Sequence, residues 1–105
     1  MTRVDLSQYA GKFAEDKDAA AKLRDTVLRP NLSRGRKIQL DFTKVEGATQ
    51  SFVHALISDL IRKLGTNVLD LLEFKHCSDS IRGVISIVVE YSQLNVDDEI
   101  ADSRE

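Results

Sequence analysis

The spacing of the apolar residues changes between residues 37 and 64. Over residues 37–43 apolar and polar residues alternate, which is typical of a strand with one buried face. Over residues 50–64 the apolar residues recur every three or four positions, which is typical of an amphipathic helix. Gly65 follows, at the position where a left-handed C-terminal cap would need a glycine. The pattern predicts a strand and then a helix with these bounds.

The N-terminal third of the chain shows the same two patterns. Residues 3–7 alternate, with Val4 and Leu6 on one face, and predict a short edge strand. Residues 15–28 have helical spacing, a high alanine content and acidic residues at the start, so they predict a helix. Pro30 disfavours helical geometry at the residue before it, and we expect it to stop or kink that helix.

The C-terminal third adds one more strand and one more helix. Residues 68–75 predict a strand, and their leucines leave a helix open as the alternative. Ser78 or Asp79 is expected to cap a last helix. The apolar stripe of that helix consists of Ile81, Val84, Ile85, Val88 and Val89, extended by Tyr91 and Leu94.

The order β-α-β-α-β-α predicts an α/β fold with a small, mostly parallel or mixed sheet and crossover helices. A chain of 105 residues with 42% hydrophobic content fits one domain around one core. We predict a single domain over residues 1–94. Residues 95–105 hold five acidic residues against one basic residue, and we expect them to form an acidic, disordered tail.

The charge and cysteine content exclude several classes of function. The net charge is −2, and the basic residues 33–37 have no aromatic residue among them, so we expect no nucleic-acid binding. Cys77 is the only cysteine, which rules out an intramolecular disulfide. No apolar run has the length of a signal-peptide core or a membrane span. These features predict a cytoplasmic protein that does not enter a membrane.

Motifs of catalytic chemistry are missing from the sequence. It contains no phosphate-binding loop, dinucleotide fingerprint, zinc-protease motif or nucleophile elbow. Its one cysteine and two histidines lack the spacing of metal ligands. Asp41, between Leu40 and Phe42, is expected to be partly buried and hydrogen-bonded in a structural role. We therefore predict a protein that is not an enzyme and holds no metal or cofactor.

Short motifs spread over residues 11–93 resemble one family. They are Lys37-Ile38-Gln39-Leu40-Asp41-Phe42, Val45, Ser51-Phe52, Leu64-Gly65, Leu72-Glu73-Phe74 and Ser80-Ile81-Arg82. They resemble the STAS-like domain family of unknown function, which is distantly similar to the STAS domains of anti-sigma-factor antagonists. The resemblance implies a regulatory domain, with a sheet flanked by helices, that binds a partner protein. It also implies a partner switch controlled by serine or threonine phosphorylation, in which the partner is a histidine-kinase-like ATP-binding protein, either a kinase or an ATPase.

The resemblance places the candidate site at the start of the helix over residues 50–64. Gln50 occupies the position of the phosphoacceptor in the antagonists, and its amide cannot be phosphorylated. Thr49 and Ser51 are therefore the candidate acceptors, where a phosphate would lie at a helix N-terminus that favours anions. The predicted partner-binding residues are Lys44, Glu46, Gly47, Thr49, Gln50, Ser51 and His54.

Three alternatives stay open at this point. Thr49 has the chemistry of a helix N-cap and can serve in that role alone. Arg34, Arg36 and Lys37 can join the same helix N-terminus to hold a nucleotide or another phosphate compound. The chain can also be a structural homo-oligomer, such as a homodimer. The apolar residues expected at that interface are Ile85, Val88, Val89 and Tyr91.

Overall fold

In the part of the chain that the structure describes, five strands form two parallel sheets. The computed structural model describes the backbone of residues 2–103 and the side chains of residues 2–92. The strands are β1 (Thr2–Asp5), β2 (Phe13–Ala14), β3 (Ile38–Asp41), β4 (Gly47–Ala48) and β5 (Leu72–Lys75). The main sheet has the order β1-β3-β5, and β2 pairs with β4 in a second, two-stranded sheet. The predicted α/β class with a small parallel sheet is confirmed, and β1 lies at an edge. The strand predicted over residues 3–7 is present but ends at Asp5, because Ser7 already begins a helix, and the strand predicted over residues 37–43 is present as the shorter β3.

Six α-helical segments are described. They are α1 (Ser7–Ala10), α2 (Lys17–Leu23), α3 (Arg29–Ser33), α4 (Gln50–Val53), α5 (Asp59–Leu64) and α6 (Asp79–Ser103). A π-helical segment, Arg24–Leu28, joins α2 to α3, and another, His54–Ser58, joins α4 to α5. We call residues 17–33 the first crossover helix and residues 50–64 the second. They connect β1 to β3 and β3 to β5, as parallel pairing requires.

Pro30 does not end the first crossover helix, so the stop, one of the two effects expected of this residue, is wrong. The helix runs on to Ser33, with Leu28 and Arg29 in right-handed helical geometry and Pro30 at the second position of α3. Inside a helix a proline removes one backbone hydrogen bond and crowds the carbonyl four residues earlier, so other contacts have to hold the helix here. In the π-helical segment before it, the Arg29 N–H donates to the Arg24 carbonyl. The Asn31 side chain donates to the Val27 carbonyl at 2.8 Å. These bonds carry the helix past the proline.

The second crossover helix agrees with the sequence pattern at both ends. It begins at Gln50 and ends at Leu64. Gly65 follows with φ 91° and ψ 168°, a conformation that glycine adopts without strain. The helix therefore ends at a glycine as predicted, but the cap is not the left-handed one that was expected. The predicted strand over residues 68–75 is only half right, because Thr66–Asp70 forms a 3₁₀-helical segment and the strand begins at Leu72.

The last helix, α6, is capped and buried as its pattern predicts. The Ser78 hydroxyl accepts from the Ile81 N–H at 3.2 Å. Ile81, Ile85 and Val88 are buried, so this part of the stripe belongs to the core, whereas Tyr91 is 58% exposed. The side chain of Leu94 lies outside the described residues. The described helix covers residues 95–103 of the predicted tail, and the boundary at residue 94 stays a prediction.

The helices cover one face of the main sheet. Val4, Leu40 and Leu72 point to that face and are buried. Their alternating neighbours, among them Arg3, Gln39 and Glu73, lie on the opposite, polar face, as the pleat of a strand requires. In the described part of the chain, no helix has both the length and the apolar character needed to cross a membrane.

Two leucines of α5 differ in burial, so their substitution tests which face of this helix belongs to the core. Leu60 is fully buried, whereas Leu64, one turn later, is 36% exposed. We expect Leu60→Ala to lower the free energy of unfolding by about 2–5 kcal/mol because it leaves a cavity. Leu64→Ala should lower it by less than about 1 kcal/mol. Urea unfolding followed by circular dichroism measures both, and equal losses of stability would contradict this difference in burial.

Candidate functional site

The two-stranded sheet places the starts of both crossover helices side by side. β2 and β4 are parallel, and each is followed within a few residues by a crossover helix. The Thr49 N–H donates to the Ala14 carbonyl at 2.9 Å, which extends the pairing to the edge of the second helix. Free N–H groups of both helix starts therefore lie close together, and a helix N-terminus carries partial positive charge. Neither β2 nor β4 was predicted, because two residues are too few to show a period.

Thr49 is the N-cap of the second crossover helix. Its backbone is extended, with φ −83° and ψ 155°, and its Oγ1 accepts from the Phe52 N–H at 3.1 Å. This is the capping role that the sequence left open as one alternative. The hydroxyl of Thr49 is thus engaged in holding the helix start.

A cavity of about 370 Å³ opens beside this helix start. Its lining combines predicted site residues with residues of both crossover helices, namely Lys17, Gln50, Ser51, His54 and Ala55. Ser51 is exposed, and within the described part of the chain its hydroxyl has no hydrogen-bond partner. Lys17 was not predicted here, because only the pairing of β2 with β4 brings its helix next to Gln50.

A smaller depression of about 180 Å³ lies next to the two-stranded sheet. Phe13 lines it and is 61% exposed, with its ring against Gly47. Gly47, predicted as a partner-binding residue, lies in β4 and also lines this depression. Lys44 and Glu46, the other predicted residues of the loop, are exposed. An exposed aromatic ring therefore adds an apolar element to a surface predicted to be polar.

Two contacts join the crossover helices, and one of them involves Ala55, which lines the larger cavity. Arg24 Nη1 donates to the Ala55 carbonyl at 2.9 Å, so the first π-helical segment binds the second. Arg29 pairs with Asp59 at 3.3 Å. Hydrogen bonding to Asp25 raises the pKa of Arg24 above its ordinary value, so this guanidinium stays charged. The helix that carries His54 and Ala55 is thereby fixed against its neighbour.

Asp41 forms a second polar cluster where β3 ends. It is 2% exposed, and its Oδ1 accepts from the Thr43 N–H at 2.9 Å, from the Thr43 hydroxyl, and from His76 Nδ1 at 3.0 Å. Its Oδ2 accepts from Arg3 Nε at 3.1 Å and from Arg3 Nη2. The hydrogen bonds from Thr43, and then those from Arg3, hold the pKa of Asp41 well below its ordinary value. The expected buried, hydrogen-bonded acid is confirmed, and Arg3 and His76 are partners that the sequence did not reveal.

The basic residues of the alternative ligand site lie elsewhere. Arg34, Arg36 and Lys37 are exposed and come directly before β3, at the amino edge of the main sheet. The second crossover helix starts beyond the opposite, carboxyl edge. The structure therefore does not bring these three side chains together with the helix N-terminus at Gln50. In the part of the chain that is described, no group of histidine, cysteine and acidic side chains could hold a metal ion.

One protein family matches a large part of the chain, including the start of the second crossover helix. The sequence profile of a family described as a STAS-like domain of unknown function matches residues 19–82. The match contains β3, the loop 44–49, the second crossover helix and β5. No curated protein and no solved structure matches the chain. The resemblance inferred from the sequence motifs is thereby confirmed.

The cap at Thr49 leads to a stability prediction. Thr49→Ala should lower the free energy of unfolding by about 1 kcal/mol, because the Phe52 N–H loses its acceptor. Thr49→Ser keeps a hydroxyl at the same place and should stay close to wild type. Urea unfolding measures both, and an equal loss in the two variants would show that the hydroxyl is not the cause.

Asp41 leads to a pH prediction. Its pKa is lower in the folded state than its ordinary value, so its contribution to stability is present above that value and is lost as the pH falls through the acid range. Asp41→Asn should therefore be less stable than wild type at pH 7 and should lose less stability on acidification. Thermal unfolding from pH 7 to pH 3 measures this, with Asp70→Asn, an exposed acid, as the control. If the melting temperatures of wild type and Asp41→Asn fell in parallel as the pH is lowered, this prediction would be contradicted.

Proposed function

The chain belongs to the STAS-like domain family, and we propose that it is a non-enzymatic regulatory module that binds a partner protein. The proposed partner is an ATP-binding kinase or ATPase. The observation that carries the proposal is the unpartnered, exposed Ser51 hydroxyl at the start of a capped helix, inside an open cavity. Such a hydroxyl is accessible both to a partner surface and to a modifying enzyme.

The proposed contact surface consists of the loop 44–49, the first turns of the second crossover helix, and Phe13. It offers the kinds of group that protein interfaces use: an exposed aromatic ring, a concave region and a rim of charged side chains such as Lys44 and Glu46. Ala55, which lines the cavity, is held by the contact from Arg24. A surface held in this way loses little conformational entropy on binding.

Ser51 is the better of the two candidate phosphoacceptors. The Thr49 oxygen already accepts from the Phe52 N–H, whereas the Ser51 hydroxyl has no such bond in the described chain. A phosphate on Ser51 would lie at a helix N-terminus, and Lys17 lines the same cavity, so both would favour its negative charge. Because a phosphate adds about two negative charges to the rim, we propose that it changes the affinity for the partner.

Charge variants of Ser51 test the switch. With purified protein as bait in the native lysate, wild type should capture an ATP-binding protein. Ser51→Glu should change the affinity for that protein by about tenfold, because a new charge lies within the interface. Titration of the recovered partner against each variant by calorimetry measures the change.

Ser33→Glu is the matched control for this experiment. Ser33 is exposed and ends α3, at the amino edge of the main sheet, so it lies away from the proposed surface. The Ser33→Glu variant should bind the partner with the affinity of wild type. Equal affinity of wild type and folded Ser51→Glu would refute the switch and leave the binding module. A nucleotide that stabilises the protein against heat, with no protein captured, would favour a ligand site instead.

A further inference from the structure

His76 has an unusual position next to the buried Asp41. It follows β5 directly, and its Nδ1 lies 3.0 Å from Asp41 Oδ1. Its φ is 59°, and among the described residues it is the only one other than glycine with a positive φ. Such a conformation is uncommon and costs energy unless the surroundings hold it. The partner switch proposed above uses neither His76 nor Asp41.

The state of Asp41 decides which nitrogen of His76 carries the proton. Thr43 and Arg3 keep the pKa of Asp41 low, so the carboxylate is ionised at neutral pH and can only accept hydrogen bonds. His76 Nδ1 must therefore donate, and in the neutral ring the lone pair lies on Nε2. The His76 side chain is 66% exposed, which leaves the far side of the ring open to reagents.

We propose that His76 Nε2 is a phosphoryl-acceptor site for acyl phosphates, with Asp41 as its positioning residue. The Nε2 lone pair attacks phosphorus and forms an N–P bond. The P–O bond to the acyl group breaks, and a carboxylate leaves with the electron pair. Nδ1 keeps its proton throughout, so the ring becomes positively charged, and the Asp41 carboxylate stabilises that charge.

Arg3 adds a cation to the same carboxylate, and a guanidinium favours a phosphoryl group. It binds Oδ2 of Asp41, while His76 binds Oδ1, so one carboxylate holds both side chains. Arg3 is 65% exposed, and the bonds to Asp41 use its Nε and Nη2. Its Nη1 donors can therefore bind a phosphoryl oxygen, as guanidinium groups commonly do.

The other histidine of the chain is a built-in control. His54 is also exposed, but it lies on the second crossover helix, and its ring has no carboxylate partner in the described chain. Both histidines meet the reagent in the same sample. A difference in their labelling therefore reports the surroundings of each ring and not the amount of folded protein.

The test is incubation of the purified full chain with acetyl phosphate, followed by intact-mass analysis and peptide mapping. We expect one phosphoryl group on His76, added about tenfold faster than on His54, as the effect of a positioning carboxylate suggests. The phosphoryl group on His76 should be lost in acid, because N–P bonds are acid-labile. This lability distinguishes it from an acid-stable phosphate on Ser51. His54→Gln should keep the labelling, and His76→Gln should abolish it.

Asp41→Asn should reduce the ratio of His76 to His54 labelling about tenfold, which a purely structural role of Asp41 would not do. No labelling of wild type, equal labelling of the two histidines, or full labelling of His76→Gln would each overturn the proposal. The comparison of His76→Gln with His54→Gln leaves Asp41 intact, so it decides the question even if Asp41→Asn does not fold. Labelling on Ser51 alone would refute this site and leave the partner switch standing.

Discussion

The hydrogen bonding of β3 to parallel neighbours on both sides is the constraint on which the rest of the structure depends. Parallel strands cannot be joined by hairpins, so each pair needs a crossover, and both crossovers here are helical. Each crossover helix must then begin beyond the carboxyl edge of the main sheet. This is why the capped helix start, the cavity beside it and the Asp41 cluster all belong to that side of the protein.

The small sheet of β2 and β4 fixes the position of the two crossover helices relative to each other, which the main sheet alone would not do. It sets the start of one crossover helix against the start of the other, and Thr49 joins it through the Ala14 carbonyl. Farther along, Arg24 binds the Ala55 carbonyl and locks the two π-helical segments together. The cavity that carries the proposed function is therefore bounded by pairing at one end and by an interhelical hydrogen bond at the other.

Asp41 shows how a buried charge can be tolerated at such an edge. A buried carboxylate is costly unless donors surround it, and here the donors come from β1, from the turn after β3 and from the residue after β5. The same bonds connect the end of β3 to β1 and to the residue that follows β5. Two of these donors, Arg3 and His76, belong to exposed side chains, so the cluster also faces the solvent. This exposure is the basis for proposing His76 as a phosphoryl acceptor.

Local pattern alone determined β3, the helix from Gln50 to Leu64 and the cap at Thr49, because period, capping and a terminal glycine act over a few residues. Tertiary structure decided what depends on distant contacts. Pro30 stays inside a helix, Lys17 reaches the cavity, and Arg3 and His76 meet Asp41 from 38 and 35 residues away. Such pairings arise from the packing of strands and helices, so the sequence around each residue carries no sign of them.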